Sequence, residues 1–242
     1  MDYRHLQQRK SMHGRIVQEL GMGIVSGKLQ PGQRLPAEAV LCEGYGVSRP
    51  VLREATRVLA AKGLVVSKPR VGSVVRPRAD WHMLDPDVLY WTISSVPEGE
   101  FFSSLLTVRR VIEPAAAALA ASAATSDDLA LIASAYDRME RAGTASELLD
   151  PDLEFHRAIM AATHNDMLAY IGNMLSLALS ESIRLTSRHP DTHALSLPRH
   201  KAILTAIQNR DPLGARHASL VQLENARADA ESILELGSHH PA

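Results

Sequence analysis

The chain has 242 residues, enough for two domains with separate cores. Its single cysteine, Cys42, excludes a disulfide-built scaffold and suits a reducing cytoplasm. No apolar run reaches the roughly 18–20 residues of a membrane span and no basic-then-apolar leader opens the chain, so a cytoplasmic protein with no membrane partner is expected.

The net charge of −1 hides a division: residues 1–80 carry 14 Lys and Arg against six Asp and Glu, and residues 81–242 carry 12 against 21. A basic first third is the electrostatic footprint of a nucleic-acid reader; the plainer alternative is two solvated surfaces of different charge.

Residues 1–14 are polar and expected to be frayed or extended. Ile16, Val17, Leu20, Ile24 and Val25 recur at helical spacing and predict a first helix over about Arg15–Ser26, stopped by Gly27. A short helix over about Ala37–Tyr45 then runs into the turn Gly44-Tyr45-Gly46-Val47. A helix over about Ser48–Lys62 follows. On it Arg49, Arg53 and Arg57 stand four residues apart and share a face, while Val51, Leu52, Ala55, Val58 and Leu59 face a core.

This is the pattern of a helix-turn-helix, whose second helix enters the DNA major groove. Val65-Val66 and Val71–Val75 read as strands around a basic wing, Lys68-Pro69-Arg70. Cys42 is a small hydrophobe of the second helix. Residues 10–76 thus form a winged helix-turn-helix domain, and residues 77–86, bounded by Pro77 and Pro86, read as a linker pinned by Trp81.

From Asp87 to about residue 236 the pattern is wholly helical. Leu105, Val108, Val111, Ile112 and the run Ala115–Ala121 give one helix. A second is capped near Thr125 and ends near Gly143. Others run over about Ala145–Thr163, Asp166–Ser187 and Leu195–Asn209, and Asp211-Pro212 starts the last. The expected fold is mainly α: a winged helix-turn-helix followed by an all-α bundle of six or seven helices.

The segment GIVSGKLQPGQRLPAEAVLCEGYGVSRPVLREATRVLAAKGLVVSKPRVGSVV resembles the winged helix-turn-helix of the GntR superfamily of bacterial transcription regulators. VRRVIEPAAAALAA, DLEFHRAIMAATHN and RHKAILTAI resemble the FCD ligand-binding domain of its FadR subfamily. The resemblance spans about residues 15–233. It implies DNA contacts from Ser48, Arg49 and Arg53 and from the wing near Arg70 and Gly72, with Arg34 and Arg57 as further candidates. Many members carry Arg where this chain has Ala39, so one contact is expected to be missing and the operator to depart from the usual consensus.

Asp152 and His156 lie four apart and place a carboxylate and an imidazole on one helix face; His200 could meet them from another helix. Such donors suit zinc, nickel or manganese without a thiolate. The FCD resemblance implies that these three are metal ligands and places a further histidine where this chain has Gln222. His217, five residues away and about 140° round the helix, is a poor substitute. Three readings stay open: a three-ligand metal site completed by water or effector, a metal-free pocket using Gln222, and an ordinary helical pair.

The resemblance also makes Arg109 a carboxylate clamp, with Glu113 its local partner and Arg110 solvated. It makes Asn165 either a pocket residue or a plain helix cap, and Arg184 a weaker pocket candidate. His82, His189, His193, His239 and His240 read as surface residues.

PRADWHMLDPDVLYW is similar to the linker and first helix of regulators of sugar-acid catabolism. The expected protein is therefore a homodimeric repressor that binds double-stranded operator DNA and is released by a small carboxylate effector. The leading effector is a sugar acid of the D-galactonate type, and the alternative is a small organic acid or acyl compound. A metal-dependent enzyme with an attached nucleic-acid domain is the rival, disfavoured because no nucleophile–base pair and no Gly-rich phosphate loop stands out.

Overall fold

The computed structural model describes residues 11–188 and 192–238, and it divides into two compact units that meet in sequence at Pro97 and Glu98. The first begins with α1 (Met12–Val25), which starts a turn before the predicted Arg15 because the Ser11 hydroxyl caps it, accepting from the Gly14 amide. Its Ile16, Val17, Leu20 and Ile24 are buried. Helix α2 (Glu38–Tyr45) ends at Gly46, whose φ of 64° is left-handed and suits glycine. The next helix, α3 (Arg49–Ala61), buries Leu52, Ala55 and Leu59 against α1.

Strands β1 (Val65–Lys68) and β2 (Gly72–Val75) pair antiparallel, Val65 opposite Val75 and Lys68 opposite Gly72. A backbone bridge between Arg34 and Val74 adds a third edge to this wing. Cys42 packs half-buried against the same core.

Residues 77–97 differ from the expected linker and first bundle helix: they pack into the first core. Trp81 is buried, and its indole N–H donates to the Arg76 carbonyl at 3.0 Å. Helix α4 (Pro86–Ile93) is capped by the Asp85 carboxylate, which accepts from the amides of Asp87 and Val88. It buries Val88 and Trp91 in the cluster that holds Ile16 and Leu59. Lys62, at the end of α3, reaches Asp85 and Asp87, each at 2.7 Å.

The hydrophobic repeat shows that residues 86–93 are helical, but not which core receives them. Gly21 on α1 admits the Trp91 ring at a distance where a Cβ would overlap it. Gly21→Ala is expected to cost about 1–3 kcal/mol, the usual price of overpacking, read as a lower urea midpoint for the first unit.

The second unit contains six helices among the described residues: α5 (Glu98–Ala123), α6 (Ser126–Arg141), α7 (Ala145–Ala161), α8 (Asp166–Thr186), α9 (Thr192–Gln208) and α10 (Pro212–Ser238). Thr125 and Asp128 form a reciprocal capping box at the start of α6. Ala117, Ala120 and Ala121 let α5 approach its neighbours closely around Ile132, Met139, Phe155, Ile203 and Ile207.

Pro114, Pro151 and Pro198 lie inside α5, α7 and α9, each next to a polar residue of the cavity wall or its support: Glu113, Asp152 and Arg199. Each lacks the amide that would close a helical hydrogen bond. None of the described helices is long and apolar enough to cross a membrane.

Candidate functional site

Two sites emerge, one in each unit. In the first, Ser48 has extended backbone (φ −77°, ψ 156°) at the start of α3, makes no capping bond and is exposed. Arg49 follows, exposed and without an ion pair among the described residues. Arg53 is held across the helix pair by Glu38 of α2, at 2.9 and 3.4 Å, and Arg57 pairs with Glu54 at 3.4 Å. The three guanidiniums share the exposed face of α3, but only that of Arg49 is unengaged. Arg70 at the wing tip is exposed with φ 62°, a conformation that costs a non-glycine residue about 1 kcal/mol or more. Gly72 closes that turn at φ 95°, and Arg34 is exposed beside β2.

In the second unit Asp152 and His156 project from α7 and His200 from α9; all three are buried. His200 lies well inside its helix and is 1 % exposed. The Asp152 Oδ1 lies 3.2 Å from His156 Nε2 and 3.8 Å from His200 Nε2. His200 Nδ1 lies 2.9 Å from the Ser196 carbonyl, which can only accept, so Nδ1 carries the hydrogen and Nε2 presents a lone pair. Burial also pushes the His200 pKa down and favours that neutral ring, outweighing the pull of Asp152.

His156 is the opposite case. Burial opposes its charge, but Glu113 and Asp152 on either side push its pKa up to about 9. Glu113 Oε2 faces His156 Nδ1 at 3.2 Å, and the same carboxylate holds Arg109 at 2.5 and 3.3 Å. Burial alone would raise the carboxyls of Glu113 and Asp152; the groups beside them lower both, Arg109 and His156 for Glu113, and the rings of His200 and His156 with Arg109 for Asp152. Two anions and two cations thus balance in one buried row.

Among the described residues Asp152 Oδ1, beyond its ion pair with His156, and His200 Nε2 make no hydrogen bond although buried, and neither does Gln222 Oε1 of α10, which faces the same cavity. Unpaired buried groups of this kind cost about 1–3 kcal/mol each. Ligand atoms of Asp152, His156 and His200 lie within 4.8 Å of one another. One carboxylate oxygen and two imidazole nitrogens, two of these atoms lacking a partner, fit a divalent cation. Glu113 would then orient His156 from behind.

The cavity is small, about 30 Å³, and opens to solvent on one side; its wall also holds Arg109, Ser182, Ser187, Ser196, Arg199 and Asp229. Two of the predicted effector residues lie elsewhere. Asn165 caps α8, its side-chain oxygen accepting from the amides of Met167 and Leu168. Arg184 is exposed and pairs with Glu181 at 3.0 Å. Arg109 does reach the wall, but its guanidinium is 4 % exposed and engaged by Glu113 and Ser182.

Arg110 is half-exposed and pairs with Glu224, and His82 and His217 are exposed. His189, His239 and His240, and the side chain of His193, lie outside the described residues. The sequence reading missed Arg199, Asp229, Ser187 and the contact of Glu113 with His156. Only Arg199, adjacent to His200, carried a local signal.

The pattern of the bacterial regulatory proteins of the gntR family matches residues 13–75, and that of the FCD domain matches residues 104–225. The galactonate operon transcriptional repressor of Escherichia coli K12 is 37% identical over 222 residues, covering 88% of this chain and 93% of its own. The uncharacterized HTH-type transcriptional regulator YieP of the same organism is 29% identical, covering 85% and 90%. Among solved structures, the Listeria monocytogenes regulator Lar, described as controlling expression of the agr system, superimposes with a TM-score of 0.65. It is 19% identical and covers 93% of this chain and 99% of its own, a likeness of fold.

Proposed function

Because the chain belongs to the GntR family of bacterial transcription regulators and carries an FCD domain, we propose that it represses a sugar-acid catabolic operon and leaves its operator when the acid binds. One observation carries the ligand half of this reading: the buried cavity in which Asp152, His156 and His200 converge with unpaired Oδ1 and Nε2 atoms, facing Gln222 and a set of hydroxyls. Such a wall suits a small polyhydroxy carboxylate better than an acyl chain. The relative named as a galactonate operon repressor points to D-galactonate as the first acid to try.

Asp152, His156 and His200 would hold a divalent cation, zinc, nickel or manganese, which when bound supplies positive charge to the acid's carboxylate and neighbouring hydroxyl. Gln222 offers a carbonyl oxygen or amide to the ligand. The protein acts in the cytoplasm as a homodimer, each copy setting Arg49 of α3 in the major groove of one half-site. Ser48, Arg53, Arg34 and the wing residues Arg70 and Gly72 grip the surrounding bases and phosphates, with Arg57 at the edge. Release requires the acid to bind the DNA-incompetent arrangement more tightly than the competent one.

The ligand half is tested by calorimetry on the DNA-free, zinc-loaded protein. D-galactonate is expected to bind once per chain, and D-galactose, of similar size but uncharged, not to bind. Binding of succinate or citrate in its place would move the effector to the organic acids.

A further inference from the structure

The arginine expected to receive the effector's carboxylate is already occupied. Arg109 gives its Nε and NH2 to Glu113 and its NH1 to Ser182, and it is almost wholly buried in the cavity wall. A second guanidinium stands in the same wall. Arg199, one residue before His200 on α9, makes a single polar contact among the described residues, NH1 to Asp229 Oδ2 of α10 at 2.6 Å. Both side chains are 17 % exposed, so the pair borders the cavity and still meets solvent.

We infer that Arg199 is the residue that reads the effector's negative charge, and that Asp229 is a built-in competitor which holds it in the absence of acid. This rests on the reading of the bundle cavity as an acid-binding site. A guanidinium offers five donors and Asp229 takes one of them, so the remaining fork can accept a carboxylate edge-on. The ligand's carboxylate and the Asp229 carboxylate then compete for one cation. Nearby, Ser187 Oγ and Gln222 Oε1 are buried and make no hydrogen bond among the described residues, and they lie where the rest of a hydroxylated acid would need a donor and an acceptor.

The competition gives opposite signs to two charge-removing changes, which a tether between α9 and α10 would not. Arg199→Gln removes the receptor and is expected to weaken D-galactonate binding about 10- to 100-fold, the usual loss for a charge-assisted bond. Asp229→Asn removes the competitor and is expected to tighten binding about 3- to 10-fold. A merely structural pair predicts that both variants melt earlier and both bind more weakly.

The experiment is calorimetric titration of the full-length, zinc-loaded wild type and both variants with D-galactonate and with succinate, and thermal melts in parallel. Opposite shifts for whichever acid binds the wild type uphold the assignment. If that acid is succinate alone, the sugar-acid reading falls and the Arg199 assignment stands. Unchanged affinity in Arg199→Gln, or weakening in both variants, overturns the assignment and leaves the sugar-acid reading intact. Binding of neither acid to the wild type overturns both.

Discussion

Arg49→Ala is expected to reduce operator affinity by about 30-fold to 10⁴-fold while the fold and ligand binding persist. Each side chain that reads a base pair contributes about 1–3 kcal/mol, and a dimer loses two, about 2–6 kcal/mol together. Arg49 is the guanidinium best placed for this role. It stands at the start of α3, exposed, and among the described residues it has no carboxylate to give up on binding. Arg53 must first leave Glu38, so Arg53→Ala is expected to cost less than Arg49→Ala. The core under α3 consists of Leu52, Ala55 and Leu59, which the change leaves alone. Anisotropy with operator and scrambled DNA separates the outcomes: equal loss on both sequences would mean that Arg49 grips phosphate and reads no base.

Asp152→Asn is expected to uncouple the ligand from the DNA. The amide keeps the volume of the carboxylate but removes the anionic member of the candidate cation site, which also faces His156 at 3.2 Å. Loss of a group that merely orients a ligand costs 10–100-fold in metal affinity or activity, so loss of a direct ligand is expected to raise the acid concentration for half-release at least about 100-fold. The metal-free variant is also expected to lose about 1–3 kcal/mol in urea unfolding, because His156 loses a charge partner. Operator affinity without acid is expected to stay within about threefold, about the 0.5 kcal/mol error of additivity between distant sites. An unchanged dose–response in Asp152→Asn would place the effector elsewhere.

The reading head was legible because its signals are local: the i, i+4 spacing of Arg49 and Arg53, the glycine that must turn left-handed at 46, and the valines of the wing. Asp152 and His156 were legible for the same reason, since four residues on a helix share a face. His200 joined them through the family resemblance, because nothing local says which face α9 turns inward. What stayed hidden depends on packing. Trp81 and Trp91 look alike whether they dock forward or back, and Gly21, the residue that admits Trp91, lies 70 positions away. Arg199 and Asp229 meet only because α9 and α10 pack side by side. Asn165 and Arg184 were assigned by resemblance, and local chemistry decided against the cavity: the first serves its own helix cap and the second a neighbouring glutamate.

The central claim is that a ligand in the helical bundle controls a DNA reader in the first unit. Its most direct test is fluorescence anisotropy of the DNA upstream of the encoding gene, titrated with zinc-loaded protein with and without D-galactonate, for wild type and Asp152→Asn. The account predicts specific binding by both proteins, release of the wild type by micromolar to millimolar acid, and retention of the variant on DNA at the same concentrations. Release of both proteins alike, or of neither by any sugar acid, would contradict it.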